Sequence, residues 1–212
     1  MKVLLLSDIE KSLKNSEVHE FIIKNLKNKS ILFIPSTPLN EDITDKNVTR
    51  IIEFFKQKNI RFDIINVLRT VYNPVKLSEY IGKHTLIYFM GGDTEIQNQF
   101  INKLNLKEIL IDYDGIIIGQ SAGAINLCDE VFLNKKHLDI DRSIKMKGIG
   151  LIQGVSIDVH FDVNDNLQIQ ELKKNSLSTY CIPDKSAIIF DGKFNFINDI
   201  YLLEYNLLKK VN

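Results

Sequence analysis

Short, uninterrupted apolar runs alternate along this chain with longer stretches in which apolar residues recur every three or four positions. The runs Val3 to Leu6, Ile31 to Ile34, Phe62 to Val67, Leu86 to Met90 and Ile116 to Ile118 are rich in branched and aromatic side chains. Such runs read as strands buried on both faces. Between them, Val18, Phe21, Ile22 and Leu26 form one helical stripe, and Val48, Ile51, Ile52 and Phe55 form another. Strands without a polar face, separated by amphipathic helices, predict a mostly parallel sheet covered on both sides, an α/β fold. Pro35 and Pro38 break the chain after the second strand, and Thr70 to Pro74 mark another break before a short helix. After Gly150 the alternation changes. Val155 to Val159, Ser186 to Phe190 and Phe194 to Ile197 read as further strands, the last two joined by Asp191-Gly192, a hairpin signal. The sheet is therefore expected to gain antiparallel members at its end. No internal repeat, low-complexity tract or Pro/Gly/Ser-rich linker divides the 212 residues, so residues 1–212 are expected to form one domain.

Composition narrows the function classes. At this length folding buries roughly 70% of the unfolded chain's surface, enough for a core without staples. The 27 basic and 27 acidic residues cancel, so no overall field draws in nucleic acid or anionic lipid. The two cysteines, Cys128 and Cys181, make neither a disulfide framework nor a paired metal motif. The apolar start stops at Ser7, too short for a signal-peptide core, and no stretch approaches the ~20 apolar residues that span a bilayer. A cytoplasmic protein without nucleic-acid or membrane partners is expected, monomeric or homodimeric.

Chemistry can sit in three places. Gly119-Gln120-Ser121-Ala122-Gly123-Ala124 follows a strand and precedes a helix expected to run through Cys128. This is a G-x-S-x-G elbow in its required context: the serine hydroxyl stands clear of the sheet, and the Ala122 N–H at the helix start can donate to a developing oxyanion. The alternative is a glycine-flanked turn with nothing to catalyse. Gly91-Gly92-Asp93-Thr94 follows the strand ending at Met90. Thr94 and Gln97 have capping-box spacing, predicting a helix towards Leu104 with Ile96, Phe100, Ile101 and Leu104 inward. The two glycines either present N–H groups to an anion, with Gly92 a second oxyanion donor and Gly91, Asp93 and Thr94 touching substrate, or form a sharp turn needing positive φ.

The third place is His160, between Val159 and Phe161. Of the four histidines, His19, His84 and His137 lie in polar or charged surroundings and are expected to be solvated surface residues, whereas His160 ends an alternating run. A histidine base needs a carboxylate to fix its tautomer. Asp158 and Asp162 flank it closely, and Asp184 follows Pro183 on a constrained turn before a strand. His137, Asp139 and Asp141 lack further ligands for a metal and read as a solvated loop.

Taken in order, a strand with Gly91-Gly92-Asp93-Thr94, a strand with Gly119-Gln120-Ser121-Ala122-Gly123-Ala124, His160-Phe161, then Ile182-Pro183-Asp184 before a strand and hairpin, the chain resembles the peptidase E family. That family includes aspartyl dipeptidases and is related to cyanophycinases. The resemblance runs from Lys2 to about Gly192. It implies a three-layer α/β/α sandwich similar to class I glutamine amidotransferase domains, with a flavodoxin-like sheet. It also implies Ser121 as nucleophile, His160 as base, and Asp184 as the acid in a Leu-Pro-Glu-Gly-like segment where relatives carry glutamate. The order serine, histidine, acid differs from that of α/β-hydrolases, in which the acid precedes the histidine. Aspartyl dipeptidases place an arginine after the histidine motif, but the last arginine here is Arg142. Lys173 and Lys174 cannot make the same planar bidentate contact, so the resemblance does not carry over a preference for N-terminal aspartate. The function implied is a serine peptidase acting on short peptides through an acyl-enzyme, with no metal or organic cofactor. The alternatives are an esterase or amidase using the same elbow, or a catalytically silent binding member of the fold.

Overall fold

The computed structural model describes residues 1–69, 74–134 and 143–212, without the side chains of 74–76. Thirteen strands and eight helices are described: β1 (Lys2–Leu6), α1 (Ile9–Ser12), α2 (Ser16–Asn25), β2 (Ser30–Ile34), α3 (Glu41–Gln57), β3 (Ile64–Val67), α4 (Pro74–Gly82), β4 (Leu86–Phe89), α5 (Thr94–Lys103), α6 (Leu106–Leu110), β5 (Ile116–Gln120), α7 (Ala122–Asn126), β6 (Glu130–Leu133), β7 (Ile144–Lys147), β8 (Ser156–Val159), α8 (Asn166–Leu172), β9 (Thr179–Ile182), β10 (Ala187–Phe190), β11 (Phe194–Ile197), β12 (Tyr201–Glu204) and β13 (Leu207–Lys210). The expected break over 70–73 and the His137 loop lie outside the described residues.

A seven-stranded sheet in the order β11-β10-β1-β5-β4-β2-β3 is the centre of the fold. Strands β1 to β5 pair in parallel, and the β10–β11 hairpin adds two antiparallel members beside β1. The uninterrupted apolar runs follow from this placement. In β1, Val3 and Leu5 enter one core while Leu4 and Leu6 enter the other; Ile87 and Phe89 of β4 divide from Leu86 and Tyr88 in the same way. Each fully buried side chain of this kind contributes roughly 1.5–3 kcal/mol of transfer free energy. Helices α1 to α3 pack on the second core through Ile9, Ile22 and Phe55, and α4 to α7 on the first through Leu77, Ile101, Leu106 and Ile125. The result is a helix layer on each side of a mostly parallel sheet, the expected α/β/α sandwich.

Several local expectations need correction. Strand β3 is not buried: Ile64 and Ile65 are exposed because β3 ends the sheet and, among the described residues, pairs only with β2. The run ending at Val159 does not join the main sheet. It forms β8 of a four-stranded sheet, β13-β12-β9-β8, in which β8 and β9 are parallel. Helix α7 stops at Asn126 and does not reach Cys128, which instead bridges to Ile152. Helix α5 is capped by Asp93, whose side chain accepts from the Ile96 N–H, and not by Thr94. Its Ile96 faces outward, whereas Gln97 and Asn98 are buried. Gln97 donates to the carbonyls of Ile34 and Met90, and Asn98 to Asn126 and the Lys147 carbonyl. Their amides satisfy backbone groups that an apolar side chain would leave unpaired, which offsets the cost of burying them. His84, expected on the surface, is only 4 % exposed. Its Nδ1–H donates to the Tyr80 carbonyl, and Nε2 meets the Asn66 amide. No helix among the described residues is long and apolar enough to cross a membrane.

Candidate active site

Sheet register decides what meets at the carboxyl edge. Leu6 lies opposite Gln120, so Ser7 and Ser121 leave adjacent strands together, and Phe89 lies opposite Gly119, which brings the Gly91-Gly92 turn alongside. In the second sheet Val159 lies opposite Ile182, so His160 and the Pro183-Asp184 turn also leave side by side. The chain passes from β1 to helix α1 on one face of the main sheet and from β5 to α7 on the other. The crevice between them is a topological switch point, where open α/β sheets bind ligands.

Ser121 is at the sharp turn, with φ 49° and ψ −112°, and its N–H donates to the Leu6 carbonyl at 2.8 Å. The flanking glycines are required by close approach: a Cβ on Gly119 would lie 2.8 Å from the Ala124 Cα, and one on Gly123 2.3 Å from the Phe89 carbonyl oxygen. A serine preceding a helix ordinarily caps it. Here the hydroxyl makes no capping bond and lies 3.0 Å from His160 Nε2. His160 Nδ1 is 2.6 Å from Asp184 Oδ1. The carboxylate thereby fixes the proton on Nδ1 and leaves Nε2 to accept from Ser121. Ala122 opens α7, so its N–H has no carbonyl four residues back within the helix.

Around Gly92 the turn is tight as well. Gly92 has φ 135°, and a Cβ there would lie 2.3 Å from Ser36 Oγ. The Ser36 hydroxyl donates to the Gly91 carbonyl at 2.7 Å. In a trans peptide the next N–H points the opposite way, so the Gly92 N–H is directed away from Ser36. A Cβ on Gly91 would be 3.3 Å from that of Ser121. Asp93 caps α5 by accepting from the Ile96 N–H, and Thr94 is the first residue of that helix. Beneath the elbow the buried Tyr88 hydroxyl donates to Gln120 Oε1, and burial pushes that phenol well above its ordinary range.

The three acids near His160 are sorted by their partners. Asp158 is 1 % exposed. It accepts from Asn134 at 2.9 Å and Gln168 at 2.7 Å, and so ties β8 to its neighbours. Asp162 caps its own turn by accepting from the Asn164 N–H. Asp184 alone reaches the imidazole. Burial works to raise its carboxyl, but hydrogen bonds from Lys11 and His160 outweigh that and hold it below the usual carboxylate range.

Residues that the sequence pattern did not single out complete the site. Fully buried Ser7 accepts from the His160 N–H at 3.0 Å and donates to the Ile182 carbonyl at 2.6 Å, stitching the two sheets together where the imidazole emerges. A signal was present: a polar residue directly after a fully buried strand is at the carboxyl edge where ligands bind. The site is open to solvent, the His160 side chain being 45 % exposed. A cavity of about 610 Å³ adjoins Asp184 on the side of Phe161 and Tyr201. A larger one, about 800 Å³, lies between α6 and β7, away from the elbow, and shares no residue with it. Among the described residues no three His, Cys, Asp or Glu side chains gather so as to hold a metal ion.

Hydroxyl, imidazole and carboxylate stand in line, as in serine-type acyl-transfer hydrolases. The chain belongs to peptidase family S51, whose family model matches residues 3–196. Among solved structures it is similar to a peptidase from an acI-B1 actinobacterium, with TM-score 0.72, 16% identity, and coverage of 99% of this chain and 93% of that one. It is also similar to a candidate peptidase E protein from Listeria monocytogenes EGD-e, with TM-score 0.64, 16% identity, and coverage of 100% and 98%. At these identities the likeness is one of fold. A curated relative, protein MGF 360-13L of African swine fever virus, is 27% identical over 165 residues, 70% of this chain and 45% of that protein. The chain therefore spans about half the length of that relative.

Proposed function

We propose that this chain is a serine-type peptidase acting on short peptides. Ser121 attacks the scissile carbonyl as His160 Nε2 takes its proton, and the same nitrogen then returns the proton to the leaving amine. Asp184 holds the imidazole in the required tautomer and stabilises the imidazolium. The N–H groups of Ala122 and Gly92 receive the tetrahedral oxyanion, each such donor being worth about 3 kcal/mol. Water, activated by the same imidazole, releases the acyl group from Ser121.

One observation carries this reading: the Ser121 hydroxyl forgoes its helix cap and faces an imidazole whose other nitrogen is held by a carboxylate. Family membership supports peptide substrates. The test is mass-spectrometric product analysis of a dipeptide library incubated with the protein, with Ser121→Ala as control. Hydrolysis is expected with the wild type, and Ser121→Ala should lower it by about 10⁶-fold, below detection. Undiminished hydrolysis by that variant rejects the assignment. Cleavage of aryl esters with every dipeptide left intact would make the protein an esterase.

A further inference from the structure

We infer that Lys11 is a positioning residue for the Ser121, His160 and Asp184 line: it holds the outer oxygen of Asp184 and so sets the pH at which His160 can act as a base. This rests on the reading of that line as catalytic. Asp184 uses its two oxygens differently. Oδ1 meets His160 Nδ1 at 2.6 Å, and Oδ2 accepts from Lys11 Nζ, also at 2.6 Å. With a donor on each oxygen, the carboxylate cannot rotate about its last bond without losing one of them.

The placement of Lys11 follows from the turn after β1. Asp8 caps α1 by accepting from the Glu10 and Lys11 N–H groups, and its other oxygen lies 3.6 Å from Lys11 Nζ. The backbone of the acid turn is anchored separately. The Ser12 hydroxyl lies 3.2 Å from the Asp184 carbonyl oxygen and 3.0 Å from that of Ser186. Removing the Lys11 ammonium therefore takes the cation from Oδ2 while leaving the turn, and Oδ1 against His160, in place.

The sign of the electrostatic effect is fixed by charge. An imidazolium at His160 gains from the Asp184 carboxylate and loses from a cation on that carboxylate's far side. Lys11 thus favours the neutral imidazole, the form able to take the Ser121 proton, and extends activity to lower pH. Hydrogen bonding to Asp184 raises the Lys11 ammonium's own range, so it stays charged throughout. Among the described residues the other charged groups beside this cluster are Asp8, the cap of α1, and, around the adjoining cavity, Asp162, Lys185 and Asp199, the last paired with Lys210 at 2.5 Å. Lys11 is 47 % exposed, so solvent screens its field and the shift is modest, roughly half a pH unit.

The experiment compares wild type with Lys11→Met, Lys11→Glu and Lys11→Arg by two readouts. One is NMR titration of the His160 imidazole. The other is the pH dependence of Ser121 labelling by an organophosphonate. The imidazole midpoint and the acid limb of labelling should rise by roughly half a unit in Lys11→Met, which is a ~3-fold loss of labelling rate below the midpoint. They should rise further in Lys11→Glu and return to wild type in Lys11→Arg. Titration of the Met and Glu variants together with wild type overturns the inference. If no protein labels, wild type included, the catalytic reading fails, and the imidazole titration still decides the role of Lys11.

Discussion

Ser121 and His160 both adopt positive φ, 49° and 52°, without being glycine. Such conformations cost of order 1–3 kcal/mol each and persist only where the surroundings over-determine them. Here the surroundings are two backbone donors taken up across the crevice: Ser121 N–H by the Leu6 carbonyl and His160 N–H by the Ser7 hydroxyl. The same local accounting separates the neighbouring acids. Asp158→Asn would turn an amide towards the Asn134 and Gln168 amides that now donate to its carboxylate. The expected cost is about 1–3 kcal/mol of stability with turnover per folded molecule little changed. Asp184→Asn should do the reverse, lowering kcat by about 10⁴-fold by destabilising the required tautomer while leaving the unfolding midpoint nearly in place. Thermal unfolding and single-substrate kinetics on both variants check this, and the opposite ranking would move the orienting role to Asp158.

At the scale of elements, the elbow works because α7 is packed hard against the end of β4. Gly123→Ala would put a methyl 2.3 Å from the Phe89 carbonyl, and backbone cannot yield as a flexible side chain would. Overpacking of this kind costs typically 1–3 kcal/mol, so a thermal midpoint several degrees lower is expected, with kcat falling because Ser121 moves with the helix. A variant that melts with wild type would show that α7 can slide. The same packing explains what the sequence could reveal. Strands β1, β2, β4 and β5 were legible because burial on both faces leaves an uninterrupted apolar run in each, polar residues falling only at an end. Strands β6, β7, β9, β12 and β13 were not. Each is four residues long, and Lys145, Lys147, Lys209 and Lys210 interrupt two of them because these ribbons present a face to water. On α5, Gln97 and Asn98 point inward against their polarity because the carbonyls they satisfy belong to β2, the turn after β4 and β7, a tertiary fact no helical stripe records. Ser121, His160 and Asp184 stood out by residue type and neighbours. Ser7, Lys11, Ser12 and Ser36 did not, since an ordinary serine or lysine gains its role only through the register of β1, β2 and β8 with their partners.

Across the whole molecule the formal charge is zero at neutrality. Self-repulsion is therefore small there, and the pH dependence of stability just below neutrality reports individual groups more than a global field. His84 is one such group, away from Ser121, in the wall formed by α4 and the start of β4. Burial holds its imidazole below the ordinary histidine range, partly countered by the Tyr80 carbonyl. In the unfolded chain it takes up a proton near its usual value of about 6.5. As pH falls below that, the unfolded state binds more protons than the folded one, so stability falls until the pH reaches the lowered folded value. His84→Gln, which keeps an amide able to donate to the Tyr80 carbonyl, should remove this part of the decline. Unfolding midpoints measured from pH 7.5 to 5.5 should therefore converge, the wild type losing more than the variant over the lower half of that interval. Equal losses would assign the acid sensitivity to other groups. Because His84 precedes β4, at the opposite edge of the main sheet from Ser121 and His160, the same substitution should leave the acid limb of Ser121 labelling where it is. Loss of activity in acid would then be separable from loss of the fold.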